Sequence, residues 1–150
     1  MGKNEKLLPE KIFKWPEKKV KVLGVWISTD PTVTLNLNYT EKLEQIRNLL
    51  SCWKYRRLTL IGKIQVLKSF ALSQLTYILT PMATNQRFIG EINNIFYSFL
   101  WNNKGDKIKR TLLISNYDHG GLKKVDLSSF NKSLKTTWIV RKYLDTSNHG

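Results

Sequence analysis

The sequence predicts a mainly α protein with one short β segment near its N-terminus. Three observations carry that expectation. From Leu60 to Leu79 the apolar residues repeat with helical period, between a capping threonine at 59 and a proline at 81 that forbids continuation. Three further stretches, 38–55, 85–101 and 126–143, show the same three- and four-residue spacing. Only Val20–Ile27 is dense in β-branched residues and alternates loosely.

In chain order, residues 1–19 are rich in charge, with a turn expected at Trp15-Pro16 and a short strand near Ile12–Lys14. Val20–Ile27 reads as a strand, and Gly24 inside it as a bulge or a point of close backbone approach. Thr29-Asp30-Pro31 ends that strand. Asn38 can cap a helix running to about Tyr55, with Leu43, Ile46, Leu50 and Trp53 on its inner face. A basic corner, Lys54-Tyr55-Arg56-Arg57, follows.

The central helix, about 20 residues and roughly 30 Å long, is the most apolar element. At 100° per residue, Leu60, Ile64, Leu67, Ala71, Leu75 and Ile78 form one face. Ile61, Leu72 and Leu79 widen it on one side, and Val66, Phe70 and Tyr77 on the other. What remains is a narrow stripe of Gly62, Gln65, Ser69, Ser73 and Thr76, small or polar and uncharged. Such a stripe wants a closely approaching partner, either a nucleic-acid backbone or a second helix. Asn85–Trp101 is the next helix, with Phe88, Ile92, Ile95, Phe96, Phe99 and Leu100 inward, stopped by Asn102-Asn103-Lys104-Gly105. Lys107–Tyr117 suits a short helix or a strand, and Gly120-Gly121 a tight turn. A last helix starts at Asp126 or Ser128 and runs to about Tyr143, with Phe130, Leu134, Trp138 and Ile139 inward; the tail from Asp145 is expected to fray.

At 150 residues with 41% apolar content, the chain suits one packed domain. Lysine and arginine number 25 against 11 acids, a net charge of +14. Between Glu44 and Glu91 there is no acid, yet Arg47, Lys54, Arg56, Arg57, Lys63, Lys68 and Arg87 all lie there. One-sided charge of this kind favours a polyanionic partner, nucleic acid first. No apolar run approaches the roughly 18 residues of a membrane span, so no membrane partner is expected. Cys52 is the sole cysteine, which excludes an internal disulfide and a cysteine zinc site. The N-terminus lacks an apolar secretory core, and an intracellular location, nuclear or cytoplasmic, is expected. The acids are scattered singly, no H-E-x-x-H or phosphate-loop motif occurs, and neither His119 nor His149 has an evident orienting partner.

The order of motifs carries a family resemblance. V-L-G-V at 22–25 precedes a helix ending at Trp53; R-x-L-T-L-I-G-K-I-Q-V-L-K follows at 56–68, then F-L-W-N at 99–102, K-I-K-R at 107–110 and G-G-L-K-K-V-D at 120–126. Over roughly residues 12–145 this resembles the C-terminal part of a LINE-type (non-LTR) retrotransposon reverse transcriptase, an RNA-directed DNA polymerase. The resemblance implies a short N-terminal β-hairpin followed by a thumb-like helical bundle. Residues 1–30 would hold a primer-grip-like hairpin, 31–104 the thumb and 105–150 a connector segment. Leu23 and Gly24 match the primer grip, which holds the 3′ end of the growing strand. Val125 stands where that family often has proline. The aspartate pair that holds catalytic Mg²⁺ would lie upstream of Met1, so no cofactor is expected on this chain and no polymerase activity from it alone.

The nucleic-acid-binding residues expected are therefore Leu23, Gly24, Lys54, Arg56, Arg57, Gly62, Lys63, Gln65, Lys68 and Ser69, with no catalytic or metal-binding residue. The lysines and arginines would contact phosphates of an RNA–DNA or RNA duplex without reading sequence. The other partner implied is the missing palm and fingers of the parent polymerase. The alternative reading of the same residues is a stand-alone basic helical module that binds nucleic acid or a protein.

Overall fold

The computed structural model describes residues 19–147; the expected strand near Ile12–Lys14 and the turn at Trp15-Pro16 lie outside the described residues. β1 (Lys19–Val22) and β2 (Val25–Ser28) pair antiparallel, Lys19 opposite Ser28 and Val22 opposite Val25. Between them Leu23 and Gly24 take φ of 49° and 81°. Two successive left-handed residues make the tight turn whose twist matches that of paired strands. A Cβ on Gly24 would meet nothing within 4 Å, so the glycine serves the turn's chirality. The single bulged strand read from 20–27 is thus corrected to two strands.

α1 (Pro31–Lys54) begins earlier than the sequence suggested. Asp30 is its N-cap, with its carboxylate accepting from the Thr32 N–H at 2.8 Å, and Pro31 occupies the first turn. Asn38, expected as the cap, lies two turns inside the helix and is buried. Its amide accepts from the Trp26 N–H at 2.8 Å and donates to the Trp26 carbonyl at 2.8 Å and the Thr34 carbonyl at 2.7 Å. An asparagine that resembles a helix cap in sequence instead hooks the hairpin to the helix. Glu41, one turn on, accepts from the Trp26 indole at 2.6 Å and pairs with Lys21.

The central rod is α2 (Leu60–Val66), a π-helical turn (Leu67–Ala71) and α3 (Leu72–Leu79) in continuous succession. Thr59 caps it as expected, its hydroxyl accepting from the Gly62 N–H at 3.2 Å. α4 (Gln86–Trp101) is capped by Asn85, and left-handed residues Asn102 and Asn103 end it.

α5 (Arg110–Ile114) resolves the helix-or-strand ambiguity of 107–117 in favour of a short helix. A 3₁₀ turn (Tyr117–His119) and Gly120 in the left-handed region lead to Gly121, whose Cβ, if it had one, would sit 2.1 Å from the Ser115 carbonyl oxygen. The chain then runs back beside α5, with the Lys124 N–H donating to the Leu113 carbonyl at 2.8 Å.

α6 (Leu127–Ser147) continues past its expected end at Tyr143 and into the tail that begins at Asp145, whose last residues, 148–150, lie outside the described residues. The core lies among α1, the central rod and α4, closed by α5 and the start of α6. Ile46, Leu75, Leu79, Ile92, Phe96, Leu113 and Leu127 are all but fully enclosed. Phe130 and Leu134 reach this core from α6. Trp138 and Ile139, expected inward, are about half exposed. α6 outruns the layer it packs against.

Candidate nucleic-acid interface

The π turn sets the geometry of the central rod's outer face. The Leu72 N–H bonds back to the Leu67 carbonyl, five residues earlier. Such a turn spends about one residue more than an α turn, which rotates everything after it by roughly 100° relative to an unbroken helix. Ile61 and Tyr77, on opposite flanks of an ideal helix, therefore come to the same side. With Gln65, Ser69, Phe70 and Ser73 they are exposed, making a strip about 24 Å long at 1.5 Å per residue. The stripe is not sealed against a second helix. Gly62 and Thr76, its outlying members, are half-buried.

Polar contacts within the strip are local. The Gln65 amide donates to the Ser69 hydroxyl at 3.1 Å, and the Ser73 hydroxyl donates to the Ser69 and Phe70 carbonyls at 3.1 and 2.8 Å. At its C-terminal end the Tyr77 hydroxyl donates to the Leu23 carbonyl. The hairpin turn, with Leu23 86% exposed, is thereby pinned to the end of the strip. Midway along it, in the π turn, Phe70 lies against Trp53 with ring centroids 5.2 Å apart, and the Arg56 guanidinium sits 4.5 Å over the Trp53 ring. That stack holds the basic corner beside the strip; Arg57 is exposed next to it. Leu23, Gly24, Arg56, Arg57, Gln65 and Ser69 are thus brought to one extended surface.

Three lysines behave differently from what charge alone suggested. Lys63 is buried, and its amine donates to the Phe99 and Leu100 carbonyls at 3.0 Å each and to Asn102 Oδ1 at 2.7 Å. It closes the C-terminus of α4, where a cation complements the helix dipole. Burial first, then nearby Lys54 and Lys107, lowers its pKa from the usual lysine value. A sequence signal for this existed: Lys63 is three residues after Leu60 and four before Leu67, inside the apolar seam. Lys54 turns toward α4, and Lys68 lies on the flank facing Lys124 and Val125. Lys135, which sequence reasoning did not single out, donates to the Leu79 carbonyl at 2.6 Å, the Thr80 carbonyl at 3.0 Å and the Met82 carbonyl, closing the end of α3.

Among the described residues no helix is long and apolar enough to cross a membrane, and no three His, Cys, Asp or Glu side chains gather as metal ligands. Among the described residues no group of carboxylates matches the Mg²⁺ that the family resemblance implies for the whole enzyme. No family model matches the chain. Over 89 residues, 58% of its length, it is 30% identical to the uncharacterized 149 kDa protein of transposon TX1 from Xenopus laevis, and the match spans 7% of that protein. This similarity supports a transposon-derived sequence.

Proposed function

We propose that the chain is the thumb and the start of the connector of a non-LTR retrotransposon reverse transcriptase, with its exposed strip lying along the backbone of an RNA–DNA or RNA duplex. One observation carries the reading. A rod whose other sides are buried keeps a single open face; it sets Gln65, Ser69 and Ser73 among Ile61, Phe70 and Tyr77, is free of acids and is flanked by the hairpin turn and the basic corner. Small side chains let a sugar–phosphate backbone approach closely, and cations at the margin neutralise phosphates without reading bases. Motif order from residue 22 to 126 and the transposon relative support the same reading. The palm and fingers of the parent enzyme would supply the metal-binding carboxylates and the chemistry.

Duplex binding measured against salt tests this. With about 4 to 6 phosphates neutralised, affinity is expected to fall by around two to three decades between 50 and 200 mM salt. Arg56→Glu with Arg57→Glu should flatten that slope. Ser69→Glu should weaken binding through repulsion while leaving thermal stability nearly intact, because Ser69 is exposed. Unchanged duplex affinity in both variants would overturn the assignment of this face.

A further inference from the structure

A second surface shares no residue with the strip. Between α1 and α4 runs a hollow of about 480 Å³, and at Asn94, Ser98 and Asn103 it joins another of about 450 Å³ beside the 104–110 segment. Together they form one groove along α4 from Glu91 to Asn103, about 18 Å at 1.5 Å per residue. The floor is apolar, with Leu50, Ile95 and Phe99. The walls carry Arg47, Lys54 and Lys104.

Two carboxylates reach the groove and both are engaged. Glu91 pairs with Arg87 at 3.2 Å, and Asp106 pairs with Arg110 at 2.7 Å. Among the described residues no carboxylate is paired with Arg47, Lys54 or Lys104, and no side-chain hydrogen bond engages Asn94, Ser98 or Asn103. The groove therefore offers uncompensated cations beside amides that can both donate and accept. Tyr55, 90% exposed, follows Lys54 at the end of α1.

We propose that this groove binds a single strand of nucleic acid, its phosphates against Arg47, Lys54 and Lys104 and its base edges against Asn94 and Asn103. A duplex seals its Watson–Crick edges and would leave the amides and the apolar floor unused; a single strand presents both bases and backbone to an open groove. Tyr55, exposed next to Lys54 in the chain, offers an aromatic face for stacking. The inference goes beyond the strip reading and does not depend on it.

Fluorescence anisotropy of the full chain with two probes, a 12-nucleotide single-stranded RNA and a 12-base-pair RNA–DNA duplex, tests the groove. Arg47→Glu with Lys104→Glu should weaken single-strand binding at least tenfold and leave duplex binding within twofold. Both residues are exposed, so the fold is expected to tolerate the change. Asn94→Ala, which alters no charge, should cost the single strand about threefold by the loss of one uncharged hydrogen bond. If the charge-reversed variant melts early, Arg47→Gln with Lys104→Gln replaces it. Ser69→Glu should show the opposite preference, losing the duplex and keeping the single strand. A parent chain that binds the duplex but not the single strand overturns the groove and leaves the strip; the converse overturns the strip alone. Binding of neither probe overturns both. Equal loss of both probes in the groove variant would mean one shared surface and overturn the groove. So would unchanged single-strand binding in that variant, or displacement of the single strand by polyglutamate as readily as by unlabelled RNA.

Discussion

A lysine is usually read as surface charge, yet Lys63, Lys124 and Lys135 direct their amines at backbone carbonyls within this fold. Lys63 and Lys135 each bring an amine to carbonyls left unpaired at a helix end. A hydrogen bond to a charged group contributes about 1.5–3 kcal/mol, so Lys63→Met is expected to lower unfolding free energy by about 1–3 kcal/mol in urea titrations. The same variant should leave the salt slope of duplex binding unchanged, which separates a structural amine from a phosphate-binding one. Lys124 is buried, donates to the Val125 carbonyl at 3.2 Å and lies 4.6 Å from the Tyr97 ring centroid. Burial, partly offset by Asp126, lowers its pKa from 10.5 to about 8. Between those values the unfolded chain binds more protons than the folded one, so stability should rise as pH increases through about 8 toward 10.5. Relief of this burden is on the order of 3 kcal/mol. Tyr39 and Tyr97, whose pKa values burial raises above 10.0, oppose the gain at the alkaline end. Lys42, Lys63 and Lys135, also lowered by burial, add to the same rise, so thermal melts from pH 7.5 to 9.5 should climb in the parent and climb less steeply in Lys124→Met; equal slopes would remove Lys124 as a cause.

Among the elements, the hairpin is held from outside by Thr34, Asn38 and Glu41 of α1 and by Tyr77 of α3. Asn38→Ala would leave the Trp26 N–H and carbonyl without their amide partner, while the core beneath stays packed. Amide exchange in β1 and β2 is expected to rise well before that of α4, and Trp26 emission to shift red. The Glu41 carboxyl is held below its usual pKa of 4.5 by hydrogen bonds from Lys21 and then Trp26. Its contribution is complete above that value and is lost as pH falls through the lower folded one, so acid should loosen the hairpin first; Glu41→Gln should remove that step. These contacts mark the limit of what sequence patterns reveal. Thr59, Asn85 and Pro81 gave the rod and α4 their bounds because capping and helix-breaking are local properties. The hairpin's two strands became legible only through motif order, since Val20–Ile27 alone reads as one strand. Asn38 misled because its partner, Trp26, is distant in sequence and its amide suits a cap equally well. The π turn was invisible because a fixed 100° step cannot register an added residue. That is why Tyr77, beyond the turn, counted as an apolar flank and proved exposed on the same side as Ile61 and Phe70. The stripe was visible by composition, but its openness to solvent depends on where α1 and α4 pack, which no single-helix pattern contains.

For the molecule as a whole, the core and the last helix do not end together. The first half of α6 belongs to the fold: Leu127 is fully enclosed, Thr84 donates to Asn131 at 2.8 Å, and Lys135 closes α3. Beyond Thr137 the balance changes, and Trp138, Ile139 and Tyr143 expose much of their surface. Hydrophobic stabilisation follows area removed from water, so the second half contributes little to the cooperative unit despite its length. Leu127→Ala is expected to cost about 2–5 kcal/mol, as a large-to-small change in a closed core does. Removal of residues 138–150 should instead leave the thermal midpoint within a few degrees of the parent. An exposed apolar cluster on one helix also favours contact between copies, opposed here by a net charge of +14. Salt screens that repulsion more effectively than it weakens apolar contact. Light scattering of the full chain should therefore rise between 50 and 500 mM salt, and the shortened chain should stay monomeric across the same range. A truncated chain that melts far below the parent would place the second half of α6 within the folded unit, and equal scattering by the two chains would locate the self-associating surface elsewhere.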